Sequence, residues 1–197
     1  MQFDNTQTFK NLARAFAGES QAGMRYQLVA KTAMDEGYKT LADEVRTLAK
    51  NETFHAQRFF ETIQEKTGGK ENIDIHAGYP FHSGSLAESL AFAAADEKAE
   101  TIIYPEFAAT AKQEGFEDVA ALFTLVSKVE ESHRIIFEYL ANAVKTGTLY
   151  TAESPTLWVC SNCGHMWVGE KAWKICPLCK SEQGYVDLHL PFEGTRI

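Results

Sequence analysis

Six residues of this 197-residue chain recur at a fixed offset of 78: Glu19, Tyr26, Gly37, Glu52, His55 and Phe59 return as Glu97, Tyr104, Gly115, Glu130, His133 and Phe137. Residues 5–67 and 84–146 therefore read as one module written twice. Each copy contributes a lone glutamate and a Glu-x-x-His motif. Carboxylates and imidazoles in that proportion are the ligand set with which a four-helix bundle holds a pair of iron or manganese ions. A second set follows near the C-terminus, where Cys160, Cys163, Cys176 and Cys179 form a C-x2-C-x12-C-x2-C pattern. Four thiolates so spaced make a tetrahedral site, for which zinc and iron are both chemically suitable.

The glutamates sit where ordinary surface glutamates do not. Leu41, Val45, Leu48, Glu52, His55 and Phe59 follow one another at spacings of four and three, as do Val119, Phe123, Val126, Glu130, His133 and Phe137. Both sets fall on one helical face. Leu12, Phe16, Glu19, Gly23 and Tyr26 repeat the character, and so do Leu90, Ala94, Glu97 and Tyr104. Carboxylates buried in apolar stripes and facing one another repel unless cations neutralise them. Two divalent ions balance four carboxylates, and oxygen-rich ligation with one imidazole each suits iron or manganese better than copper. Symmetry assigns Glu52 and Glu130 as bridges, His55 and His133 as one cap per metal, and Glu19 and Glu97 as terminal ligands. The duplication fails at one informative place: Glu100 corresponds to Ala22. An extra carboxylate one turn from Glu97 predicts an asymmetric site whose coordination changes when iron changes charge.

Four long amphipathic helices must position these groups. Glycines at 37 and 115 can take the positive φ that ends a helix, so helices one and two, and three and four, are expected as antiparallel hairpins. Residues 68–84 are rich in Gly and turn formers and are long enough to run the length of the bundle. Pro105 should loosen the third helix just after Tyr104. Residues 1–146 are read as the bundle, 147–156 as a linker, and 157–197 as a small β domain that needs its metal to fold. The net charge of -8 argues against nucleic acid as a partner. The opening residues lack the apolar core of a secretory signal, and no run could span a membrane. Cysteines confined to two C-x-x-C pairs point to metal rather than disulfides, and to the reducing cytoplasm.

The segments AFAGESQAGMRY, NETFHAQRFF, YPEF and VEESH, with CSNCG and CPLC near the end, resemble the rubrerythrin family over almost the whole chain. The resemblance implies a mainly α protein, with a ferritin-like four-helix bundle followed by a rubredoxin-like domain. It also implies reduction of hydrogen peroxide to water at a diiron site, with electrons from an external donor passing through a tetrathiolate iron. Carried over, Glu19, Glu52, Glu97, Glu100, Glu130 and His133 match diiron ligands. His55 matches the histidine that exchanges with the carboxylate at Glu100, and Tyr26 and Tyr104 match outer tyrosines. A head-to-tail homodimer is implied as well. Gly164 and Pro177 resemble the two cysteine knuckles of rubredoxin, while Lys180 stands where that pattern has glycine. The alternatives are a ferroxidase or iron-handling protein, and a metal-stabilised structural protein.

Overall fold

The computed structural model describes residues 2–69 and 72–192. Lys70 and Glu71 of the long connection, and residues 193–197 of the small domain, lie outside the described residues.

Four helices make the bundle: α1 (Gln7–Asp35), α2 (Lys39–Thr67), α3 (Leu86–Gln113) and α4 (Glu117–Thr146). Local chemistry sets their ends. The Thr6 hydroxyl accepts from the N–H of Phe9 at 3.1 Å, and Ser85 opens α3 with a reciprocal capping box to Glu88. Each satisfies N–H groups that have no partner inside the helix. Gly37 and Gly115 turn the chain at φ +87° and +86°, a region that a Cβ disfavours. Helix α3 runs unbroken through Pro105, which sits at an exposed position.

Contacts at the helix ends fix the direction of the hairpins. The N–H and hydroxyl of Thr8 donate to Glu114 at 2.8 and 2.6 Å, and Lys66 pairs with Asp118 at 2.7 Å. The start of α1 thus lies beside the end of α3, and the end of α2 beside the start of α4. The long connection must climb from Gly68 at this lower end to Ser85 at the upper one. It is pinned midway, where the Tyr79 hydroxyl donates to the Arg14 carbonyl at 2.9 Å.

The buried apolar residues fall into two groups. An upper group includes Ala30, Leu41, Val45, Leu90 and Leu140, and a lower group includes Leu12, Phe59, Phe107, Val119 and Phe123. Tyr26 belongs to the upper group and Tyr104 to the lower. The polar cluster lies between them.

The small domain is a two-stranded antiparallel ribbon, β1 (Thr151–Val159) and β2 (Met166–Lys171), in register at Trp158 opposite Trp167. The first strand opens inside the stretch read as a linker, and Leu149 and Tyr150 already pack on the upper core. Beyond Trp158, Ala172 and Val186 the ribbon has little core of its own. It leans on the bundle instead. The Thr40 hydroxyl donates to the Val186 carbonyl at 2.7 Å, and the rings of Tyr38 and Tyr150 stack with centroids 6.4 Å apart. Gly184 lies so close to the α1–α2 turn that a Cβ there would sit 1.6 Å from the Gly37 carbonyl oxygen. Only glycine permits that approach.

Candidate metal centre

One turn of each helix delivers its glutamate to the gap between the two apolar groups. Glu19, Glu52, Glu97 and Glu130 are fully buried. Two clusters of ligand atoms form, each drawn together within 4.8 Å: Glu19, Glu52, His55 and Glu130 in one, and Glu52, Glu97, Glu130 and His133 in the other. Glu52 and Glu130 belong to both. The Nδ1 atom of His55 lies 2.9 Å from Glu130, 3.1 Å from Glu52 and 3.7 Å from Glu19. For His133 the corresponding distances are 2.9 Å to Glu130, 2.8 Å to Glu52 and 3.9 Å to Glu97. The sequence duplication is thus a near two-fold arrangement in space.

The outer shell obeys the same symmetry. The hydroxyl of Tyr26 donates to Glu97 at 2.5 Å, and that of Tyr104 donates to Glu19. Burial, followed by the charge of Glu97 for one ring and Glu100 for the other, raises both phenols well above their ordinary value.

These residues fit a pair of divalent cations. Glu19 Oε2, Glu52 Oε1, Glu97 Oε2, both oxygens of Glu130 and Nδ1 of His133 are buried without a properly directed hydrogen bond, although they lie close together. Atoms that converge without donating to one another are arranged for a common cation. The electrostatics agree. Burial, the largest influence, holds Glu19 and Glu97 well above 4.5, with the neighbouring carboxylates adding to the rise. Against burial, the surrounding carboxylates push His55 up to about 12 and His133 up to about 9, while the two imidazoles bring Glu52 down to about 2. The cluster demands positive charge, and protons supply it where dications do not.

Two departures from symmetry separate the halves. Glu100 does not join either converging group, although burial and the charge of Glu19 raise its carboxyl. It borders a cavity of about 210 Å³ between α1 and α3, lined also by Gly18, Tyr79, Tyr104 and Phe107. The second departure involves Asn51, which sequence reasoning missed. Its side-chain amide stands 3.2 Å from Nε2 of His133. The atom facing Nε2 is the amide nitrogen, Nδ2; a metal on Nδ1 would leave the hydrogen on Nε2, which the amide oxygen accepts once the amide turns over, and in either orientation the contact fixes the ring. The equivalent position beside His55 is Val129, which has no group to offer. His55 is also the more open, at 13% side-chain exposure against 2% for His133. The signal was available, because the offset of 78 fails at this pair.

In the ribbon, Cys160 Sγ lies 3.8 Å from Cys179 Sγ, and Cys163 Sγ 3.7 Å from Cys176 Sγ. A disulfide needs about 2.05 Å. A tetrahedron with metal–sulfur bonds of about 2.3 Å has edges of about 3.8 Å, so these separations fit one metal among four thiolates. The hydroxyl and N–H of Ser181, with Asn162, bring Cys179 down to about 5.

Fold and site together define a class: a ferritin-like bundle enclosing a carboxylate–histidine dinuclear site, joined to a four-cysteine metal ribbon. Family models agree. The rubrerythrin model matches residues 10–81 and 88–157, and the model of the rubrerythrin rubredoxin-like domain matches 158–185. The chain belongs to the rubrerythrin family. It is 40% identical to rubrerythrin of Porphyromonas gingivalis, over 92% of this chain and 90% of that protein. To rubrerythrin-1 of Clostridium acetobutylicum it is 38% identical, over 93% of this chain and 94% of that one. Solved structures share the fold, among them nigerythrin in a partially reduced state, at a TM-score of 0.63 and 24% identity over 94% of this chain and 90% of the other. Among the described residues, no helix is long and apolar enough to cross a membrane.

Charge balance yields a pH prediction. Raised groups such as Glu19, Glu97 and His133 favour the metal-free fold at low pH, and that contribution is lost as pH climbs through their folded values. Glu52, which is lowered, acts in the opposite sense only between about 2 and 4.5. Metal binding strengthens over the same rise because protons stop competing. The gap in Tm between metal-loaded and metal-stripped protein should therefore widen from pH 5 to pH 9, measured by calorimetry; a gap that narrows contradicts the charge balance.

Proposed function

We propose that the protein is a non-haem diiron peroxidase, which reduces hydrogen peroxide to water with electrons from an external donor delivered through the tetrathiolate iron, in cytoplasmic defence against oxidative stress. The observation that carries this reading is the union, in one chain, of a buried carboxylate–histidine cluster and a four-thiolate tetrahedron. A ferroxidase needs a similar cluster, but it discharges its electrons to oxygen and has no use for an electron-delivering domain. A structural metal site needs no surplus ligand such as Glu100.

Bound iron would supply one electron from each of two ferrous ions for cleavage of the O–O bond. Every other part of the chemistry falls to side chains. Glu52 and Glu130, common to both clusters, would hold both ions, Glu19 and Glu97 one each, with His55 and His133 as one imidazole apiece. Tyr26 and Tyr104 stay protonated, orient Glu97 and Glu19, and keep acidic hydrogens beside the cluster. Glu100, whose carboxyl is held above its ordinary value by burial and then by the charge of Glu19, borders the small cavity and can carry a proton there. Because His55 lacks the amide that fixes His133, it is the ligand free to exchange with Glu100. At about 210 Å³ the cavity has room for a molecule the size of peroxide.

Glu52→Ala removes a ligand shared by both metal positions. Peroxide turnover with a reduced donor should fall by more than about 100-fold, the upper end of the loss from an outer-shell partner alone, with the ferric tetrathiolate absorption intact. Full activity in this variant, or wild-type protein that turns over ferrous iron and oxygen but not peroxide, would overturn the peroxidase reading.

Electrons are proposed to pass between chains of a head-to-tail homodimer. The ribbon docks at Thr40, and from there to Glu52 is twelve residues of α2, about 18 Å at 1.5 Å per residue. Cys160 pairs with Val186 at that dock. Transfer within one chain would have to cross this whole length of bundle. Mixing Cys160→Ser chains with Glu52→Ala chains should restore donor-dependent turnover in heterodimers; complete inactivity, with heterodimers formed and metals loaded, would rule transfer between chains out.

A further inference from the structure

The two cysteine knuckles of the ribbon are built alike. Gly164 and Lys180 take left-handed φ values of +74° and +64°. Their N–H groups donate to the carbonyls of Cys160 and Cys176 at 2.8 and 3.0 Å. One residue further on, the carbonyls of His165 and Ser181 accept from the N–H groups of Cys160 and Cys176 at 2.9 and 2.8 Å. The match makes His165 and Ser181 equivalent by position, and their side chains differ. The ring of His165 turns away to meet Trp173, with centroids 5.0 Å apart. The hydroxyl of Ser181 turns inward, 3.1 Å from Cys179 Sγ and 3.6 Å from Cys160 Sγ. At this matched position the second knuckle therefore carries a side-chain donor that the first lacks, aimed at the edge of the tetrahedron spanned by Cys160 and Cys179.

We propose that Ser181 is a positioning residue, which donates its hydroxyl hydrogen to this sulfur edge and favours the reduced form of the bound iron. Four thiolates around a ferric ion carry a net charge of −1, and around a ferrous ion −2. The added electron raises the charge on sulfur. A donor at sulfur is therefore worth more after reduction than before, as hydrogen bonds to charged acceptors are stronger than those to weaker ones. The hydrogen stays on Ser181 throughout, so the reduction consumes one electron from the donor and moves no proton. A centre shifted in this direction takes electrons more readily from a weak donor. The proposal rests on iron occupying the four cysteines and not on peroxide being the substrate.

The test uses the full-length chain loaded with iron, titrated with dithionite in the presence of mediators while the ferric tetrathiolate absorption is followed. Ser181→Ala should lower the ratio of reduced to oxidised centre about tenfold at a fixed poise, equivalent to about 59 mV for one electron. Ser181→Thr keeps the hydroxyl and should titrate like wild type, whereas Ser181→Val, of the same shape, should follow Ser181→Ala. That pair decides the matter if Ser181→Ala holds iron poorly. Ser161→Ala is the control, since the Ser161 hydroxyl donates to the Tyr185 carbonyl at 2.8 Å and not to sulfur; it should leave the ratio unchanged. Threonine and valine variants that titrate together, or a control that shifts as far as Ser181→Ala, would overturn the role. A wild-type chain that holds no reducible iron would overturn both the iron reading and this proposal.

Discussion

Four carboxylates meet at the middle of an apolar bundle, and the rest of the structure answers to that fact. Glu19, Glu52, Glu97 and Glu130 have no access to water, so their mutual repulsion is not screened and burial alone opposes their charge. Positive charge must enter with them. The two histidines lie too close to the same oxygens to be ordinary core residues, and the unpartnered atoms converge on positions that dications would occupy. The split core follows from this. Apolar groups above and below seal the cluster, and each sends one tyrosine hydroxyl back to the opposite hairpin.

Duplication explains why the site is nearly symmetric, and the failures of duplication explain how it can act. A fully symmetric cage would bind two metals equally and hold them. Here one half has a ring fixed by Asn51 and the other a freer ring, a surplus carboxylate at Glu100 and a small cavity. The surplus carboxylate and the cavity lie together, since Glu100 borders it. Two of the positions at which the copies have diverged, 51/129 and 22/100, border the cluster.

Much of this was legible before any coordinates. The offset of 78, the apolar stripes and the glycine breaks gave the hairpins, and the Glu-x-x-His spacing placed each pair of ligands on one helical face. The long connection was readable as a full-length crossover from its reach alone. Other features depend on how helices and domains register against one another, which periodicity within a helix does not encode. The Asn51–His133 contact joins α2 to α4, and the inward turn of Ser181 is visible only when the two knuckles are superposed. The docking of the ribbon through Gly184 is a backbone approach, silent in any pattern of side chains. Pro105 was expected to loosen α3 and not to end it, and the helix does continue through it.

The account stands on two metals lying between Glu52 and Glu130. Crystals of the purified protein, measured by anomalous diffraction at the iron edge, test this without reference to activity. Three peaks per chain are predicted: two about 3.5–4 Å apart, as in two-metal sites, flanked by His55 and His133, and one among the four cysteines. A single peak in the bundle, or none in metal-replete protein, would contradict the account.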